Sequence, residues 1–321
     1  MAPSDHGHDG PGGPAATPFD KAPSPLMEPE GETRILAISS GKGGVGKSSL
    51  TVNLACAIAE RANSVAVIDA DVYGFSVPRM IGLDEDPDVE NDKIVPPEVS
   101  GVKVVSMGFF LEEEQAVVWR GPMLHKALEQ FITDVAWGDL DYLLIDMPPG
   151  TGDIALSISQ FLPRAEVVVV TTPQPAAQRV AQRAAAMAGK VGMGVLGVIE
   201  NMSWFTGDDG KRYELFGSGG GQTLAEQLGV ELLGQVPVLP EVRIGSDEGR
   251  PVVISEPESE GATAIFGIAD RIIAAERALA APGAPPHQPH NQHHGQGLGA
   301  SPSGSGSVPG GGLSVTPKSR G

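Results

Sequence analysis

The octet GKGGVGKS at residues 41–48 constrains this chain more than any other stretch, because of what stands on either side of it. Before it runs RILAIS (34–39), an apolar, β-branched segment; after it, Leu50, Leu54 and Ile58 recur at i, i+4 and i+8, one stripe of a helix. A glycine-rich turn that joins a strand to a helix aims backbone N–H groups and the positive end of the helix at one point, which makes an anion site. The octet matches G-x-x-x-x-G-K-[ST] at Gly41, Gly46, Lys47 and Ser48. Gly41, Lys42, Gly43, Gly44, Val45, Gly46, Lys47 and Ser48 are therefore the expected phosphate cradle, with Lys47 reaching the β- and γ-phosphates and the Ser48 hydroxyl facing Mg²⁺. The second lysine, Lys42, has no place in that minimal pattern.

Four further runs read as strands that are apolar on both faces: SVAVIDA (64–70), YLLIDM (142–147), EVVVVTT (166–172) and GVLGVIE (194–200). Continuous rather than alternating apolarity is what a parallel sheet covered on both sides requires. Helical patterns over 47–61, 123–137, 175–189, 222–228 and 262–280 lie between and after these runs. The expected architecture is a doubly wound α/β fold with a mostly parallel sheet, whose ligands sit at the carboxyl ends of the strands.

Residues 1–32 are rich in Gly, Pro, Ala and Asp, and residues 281–321 form a Gly/Pro/Ser/His-rich run. Neither has apolar periodicity, so both are expected to be disordered tails around one domain, 33–280. The C-terminal run holds His287, His290, His293 and His294, candidate adventitious metal ligands. A formal net charge of −18 argues against nucleic acid and anionic membrane as non-specific partners. The acidic clusters at 84–92, 111–114 and 256–260 read as solvated loops or helix ends. No apolar run approaches the roughly 18 to 20 residues that cross a bilayer, and the first thirty residues lack a secretory signal, so the expected location is cytoplasmic. One cysteine, Cys56, excludes an intrachain disulfide and any all-thiolate metal site made by a single chain.

A Mg²⁺-nucleotide site needs a carboxylate at the end of a second strand. Asp146 closes the run YLLIDM, and PPGTGD after it reads as a loop that senses a γ-phosphate. Asp69 and Asp71 sit two apart at another strand end, where Asp71 is suited to orient an attacking water; capping or turn roles are the alternative for both. Asn201 ends a strand run and is either a turn residue or a donor to a purine edge. FGSGGG (216–221) reads as a second phosphate-facing loop or a plain connection. Trp119 and Trp204 are expected to pack, and Cys56, beside Ala55 and Ala59, to be a small buried side chain.

Lysine at the second position of GKGGVGKS is the deviant Walker A pattern of the MinD, ParA, nitrogenase iron protein and ArsA group. With VIDADVYGFSVPRMIG, VWRGPMLHKALEQFITDVAWGDLDYLLIDMPPGTGD, VIENMSWF and LLGQVPVLPEVRIGSDEGRPVV, the chain resembles the Mrp/ApbC family of iron–sulfur cluster carrier ATPases over nearly all of 33–280. The resemblance implies a homodimer in which Lys42 reaches the partner's nucleotide while Lys47 binds phosphate in its own subunit. It implies that Ser48 holds Mg²⁺ with Asp146 outside the first coordination sphere, that Asp71 positions water, and that Asn201 and the Pro237 segment face adenine. The implied activities are ATP hydrolysis and the transfer of iron–sulfur clusters to apoproteins. Many members carry a C-x-x-C pair after ENMS that bridges a [4Fe–4S] cluster across the dimer; here Gly207, Asp208, Asp209 and Gly210 stand in its place. Carboxylates are poor substitutes for thiolates on such iron, which leaves Cys56, a client's cysteines or a small thiol as ligands. It also leaves a second reading, an ATP-switched interaction module that carries no cluster. Positioning on DNA or membrane fits poorly with the acidic balance, and no N-K-x-D pattern points to GTP.

Overall fold

The computed structural model describes residues 24–280 except 73, 111–120 and 151. The tail expectations for 1–23 and 281–321, the four tail histidines, the acidic run 111–114 and Trp119 lie outside the described residues. In chain order the strands are β1 (Arg34–Ser40), β2 (Val65–Asp69), β3 (Asp88–Glu90), β4 (Lys93–Val95), β5 (Glu98–Val99), β6 (Val102–Ser106), β7 (Tyr142–Asp146), β8 (Glu166–Thr171), β9 (Gly194–Asn201), β10 (Phe205–Thr206), β11 (Arg212–Tyr213) and β12 (Glu231–Val236). The helices are α1 (Lys47–Ala59), α2 (Val77–Ile81), α3 (Gly121–Thr133), α4 (Gly152–Phe161), α5 (Pro175–Lys190), α6 (Gly220–Leu228), α7 (Pro240–Glu248), α8 (Val252–Ser255) and α9 (Glu260–Ala280).

Among the described residues the main sheet runs β12-β9-β8-β1-β7-β2-β6-β5, parallel throughout except for the antiparallel edge pair β5 and β6. All seven residues of β1 are buried. Ile35 and Ala37 enter one apolar cluster with side chains of α3, α4, α5 and α6, and Leu36 and Ile38 enter the other with α1, α2, α8 and α9. Two-sided cover is why these strands lack polar alternation, and the expected doubly wound architecture is the one found. The stripe expected on α1 is wider in the structure: every residue from Leu50 to Ile58 is buried, because the sheet lies on one side of the helix and α9 and α8 on the other.

Several elements differ from the sequence reading. Residues 24–32, assigned to the tail by composition, are packed: Leu26 enters a core cluster at 4% exposure, while Arg164 donates to the carbonyls of Glu28 (2.7 Å) and Thr33 (2.6 Å). The ordered body thus reaches back at least to Ser24. Strands β6 and β12 are not evident in the sequence because each carries an unstrandlike residue with a local reason. Lys103 in β6 lays its stem along the sheet and donates from Nζ to the Trp137 carbonyl at 2.6 Å. Gly234 in β12 makes room for α9, since a Cβ there would lie 2.5 Å from Ile268 Cγ1. Helix α3 stops at Thr133, four residues short of the expected 137, where the Lys93 ammonium caps the Thr133 carbonyl at 2.6 Å.

Leu54 is 2% exposed in the cluster that α1 shares with α9. Leu54→Ala is expected to cost about 2–5 kcal/mol of unfolding free energy, read as a lower urea midpoint with an unchanged denaturant slope.

Candidate functional site

Strand β1 lies between β7 and β8, with β2 and β6 beyond β7 and with β9 and β12 beyond β8. The strand order therefore reverses at β1, and the octet leaves it at that switch point, the usual place for a ligand in an open α/β sheet. Two of its glycines are sterically obligatory. A Cβ on Gly41 would lie 2.3 Å from the Val180 carbonyl carbon in α5, so only glycine lets the loop pass that helix. Gly46 caps α1 at φ 80°, and a Cβ there would lie 2.3 Å from Asn201 Nδ2.

Asp146 ends β7 with no exposed surface, in register with Ile38 on β1 and Asp69 on β2. Three donors from the start of α1 converge on its carboxylate. Lys47 Nζ lies 2.7 Å from Oδ1, Thr51 Oγ1 lies 2.9 Å from the same oxygen, and Ser48 Oγ donates to Oδ2 at 2.6 Å. Lys47 is itself 6% exposed, so this is a buried ion pair whose desolvation is offset only because both carboxylate oxygens are occupied. The sequence brought Lys47, Ser48 and Asp146 to one place; it missed Thr51, whose signal was its position four residues after Lys47 on the same helical face.

Asp71, 9% exposed, shares a 210 Å³ pocket with residues 42–48 of the octet, Met80 and Pro149. Its neighbour Asp69 points inward instead. Asp69 Oδ1 accepts the Asp71 N–H (3.2 Å), and Oδ2 accepts the Val77 N–H (3.2 Å) and the Ser106 hydroxyl (3.1 Å), so it shapes the turn that carries Asp71. Lys42 Nζ donates to Gln174 Oε1 at 3.2 Å, at the N-cap of α5 in its own chain.

Among the other candidates, Asn201 and PPGTGD depart from expectation, whereas Trp204 packs as expected and FGSGGG is the plain connection of its two readings. The Asn201 amide, expected toward adenine, donates from Nδ2 to the Val45 carbonyl at 2.8 Å and braces the octet from behind. Pro237 follows β12 immediately, next to Asn201 through the Val236–Asn201 register pair. The FGSGGG loop is not an open anion site, because the buried Glu200 carboxylate accepts the Gly221 N–H at the start of α6 and takes the place of an external anion. PPGTGD does not stay a loop to its end, since α4 begins at Gly152. Trp204 packs against the Arg212 guanidinium at 4.2 Å and donates to Glu260 Oε1 at 3.0 Å.

Cys56 is withdrawn as a cluster ligand. It has no exposed surface in the α1 core, and burial together with the nearby Glu60 charge pushes its thiol up to about 12. Gly207–Gly210 form the tip between β10 and β11, closed on itself. The Lys211 N–H (3.1 Å) and the Tyr213 hydroxyl (2.8 Å) hold the Asp209 carboxyl below its ordinary value. Among the described residues no group of three or more His, Cys, Asp or Glu side chains is placed to hold a metal ion.

A glycine-rich loop at the switch point, a lysine and serine opening the next helix and an aspartate at the end of the adjacent strand define a P-loop ATPase. The comparisons agree. The ParA family model described as NUBPL iron-transfer P-loop NTPase matches residues 32–273, and the chain belongs to that family. A Mycobacterium leprae protein named iron-sulfur cluster carrier protein is 49% identical over 262 residues, 80% of this chain and 68% of the relative. A Synechocystis protein of the same name is 46% identical over 266 residues, 80% and 75% of the two chains. Among solved structures, an Archaeoglobus fulgidus nucleotide-binding protein in complex with ADP is 36% identical with a TM-score of 0.62, covering 71% of this chain and 89% of its own. MinD from Pyrococcus horikoshii, complexed with Mg-ADP, is 26% identical with a TM-score of 0.56 over 75% and 96%.

Burial, and then the Asp146 charge, raise Asp69 to about 7 against the hydrogen bonds it accepts. The folded protein thus holds this proton more tightly than the unfolded chain does. The stability it contributes is full below pH about 4 and lost as pH rises through about 7. Urea titrations of the nucleotide-free protein between pH 5 and 8 are expected to show a steeper loss of stability for the natural chain than for Asp69→Asn.

Proposed function

We propose that this chain is a Mg²⁺-dependent ATPase that works as a homodimer and delivers iron–sulfur clusters to apoproteins, the cluster being cargo rather than a resident cofactor. The observation that carries the reading is the convergence of Lys47 and Ser48 on Asp146 beneath the octet. Hydroxyl and carboxylate oxygens suit Mg²⁺, which keeps most of its water and takes few protein ligands, in keeping with the absence of a carboxylate cage among the described residues. Ser48 Oγ donates its proton to Asp146 and keeps a lone pair for the ion, which supports Ser48 as the direct ligand and Asp146 as its support outside the first coordination sphere. Held there by the Ser48 hydroxyl, Mg²⁺ would supply positive charge to offset the negative charge that develops during phosphoryl transfer.

In this reading the octet's N–H groups cradle the phosphates and Lys47 exchanges Asp146 for a phosphate oxygen. Asp71 orients the attacking water, and Asn201 sets the octet's shape from behind, with the Pro237 segment beside the base. Lys42 leaves Gln174 to reach the partner's nucleotide, supplying positive charge where it builds up. The functional domain is 24–280. The names of its relatives support cluster delivery, and with Cys56 buried the ligating thiols come from a client or a small thiol such as glutathione. No helix among the described residues is long and apolar enough to cross a membrane, in keeping with work in the cytoplasm.

The trans role is tested by complementation. Lys42→Ala and Asp71→Ala should each bind ATP yet hydrolyse it at least about tenfold more slowly. Mixed in equal amounts they should regain roughly a quarter of the parent rate, since half the dimers are mixed and half the sites in those are intact. No rescue, where mixed dimers are shown to form, would place Lys42 within one subunit.

The buried thiol and the aspartate-tipped hairpin favour a second reading, an ATP-switched module that recruits a partner without a cluster. Anaerobic reconstitution with glutathione, followed by iron and labile sulfide analysis and transfer to an apo-acceptor, separates the two. Cluster delivery predicts bound iron and sulfide that Cys56→Ser leaves unchanged; background iron with ATP-dependent partner binding would select the module.

A further inference from the structure

Thr51 has no exposed surface, yet carries a hydroxyl where a valine of the same shape would fill the space. Its Oγ1 lies 3.0 Å from the Lys47 carbonyl and 2.9 Å from Asp146 Oδ1, and a hydroxyl has one proton to give. The charged acceptor is the stronger, so the proton belongs with the carboxylate. We infer that Thr51 is a positioning residue of the nucleotide site, the donor that keeps Asp146 in place when Lys47 leaves it for phosphate.

The inference rests on the proposed nucleotide site and follows from counting donors. In this structure Oδ1 takes Lys47 and Thr51, and Oδ2 takes Ser48. When a phosphate draws Lys47 away, Ser48 remains on Oδ2 and Thr51 alone remains on Oδ1. Without the Thr51 hydroxyl that oxygen, fully buried, would have no donor among these contacts. The lysine would then stay tied to the aspartate, and nucleotide would compete against the tie. Lys47, Ser48 and Thr51 open one helix, so the octet and Asp146 hold their spacing through the exchange.

The test is equilibrium binding of a fluorescent ATP analogue, with and without Mg²⁺, to the full chain. Thr51→Val is expected to weaken binding at least about tenfold in both conditions, the scale of one buried acceptor left unpaired, while its thermal midpoint stays near the parent's. Thr51→Ser, which restores the hydroxyl, should recover most of the loss. In an Asp146→Ala background, which removes both acceptor oxygens, Thr51→Val should change affinity less than about twofold, because the coupling partner is gone. If valine distorts the helix, Thr51→Ala replaces it in the same cycle. Parent-like affinity in both Thr51→Val and Thr51→Ala, or an equal loss in the Asp146→Ala background, would overturn the inference. A parent chain that binds no analogue at all would instead overturn the proposed nucleotide site.

Discussion

A carboxylate with no exposed surface has to be surrounded by donors, and Asp146 is the point on which this molecule turns. Its charge sits at the end of a central strand, where burial would cost several kcal/mol if either oxygen were left bare. The start of α1 supplies an ammonium and two hydroxyls within 2.9 Å. That demand fixes how α1 approaches the sheet, and α1 in turn fixes where the octet's N–H groups point. The contact also keeps the Lys47 ammonium buried, with its charge met by the carboxylate.

The same strand ends organise the rest of the site. Asp69 lies in register with Asp146 and is braced by two backbone N–H groups and a serine, so the turn after β2 offers Asp71 to the pocket. On the other side of β1, the end of β9 gives Asn201 to the octet and Glu200 to the head of α6, so two consecutive residues serve two different loops. Met202 follows in a left-handed conformation, φ 58°, unusual for a side chain of its size. Backbone of this kind persists where the surroundings over-determine it, here between Asn201 and the Ser203 N–H donated to the Val236 carbonyl at 3.0 Å.

Much of this was legible in the sequence, for physical reasons. Short, β-branched, continuously apolar runs read as strands covered on both faces, and the octet's spacing calls for a strand before it and a helix after it, so the fold and the trio of Lys47, Ser48 and Asp146 could be read directly. Partners created by packing were not legible. Nothing in the order of residues says that Asn201 meets Val45 156 positions away, that Glu200 occupies the head of α6, or that Lys42 rests on Gln174. Strands β6 and β12 were not legible because a lysine or a glycine broke the apolar pattern. Composition also misplaced the body's start, because Leu26 and Met27 on the core and the Arg164 bond to the Glu28 carbonyl anchor a segment that otherwise reads as tail. The thiol question was posed by the sequence and sharpened by the structure. The one cysteine is sealed in the core, and any cluster must be held by sulfur from elsewhere.

Whether nucleotide replaces Asp146 at the Lys47 ammonium is tested most directly by a crystal structure with Mg²⁺ and a non-hydrolysable ATP analogue. Lys47 Nζ is expected on a phosphate oxygen, Ser48 Oγ on the metal, and Asp146 still bonded to Ser48 and Thr51. A nucleotide bound with Lys47 still paired to Asp146, or seated away from the octet, would contradict this exchange.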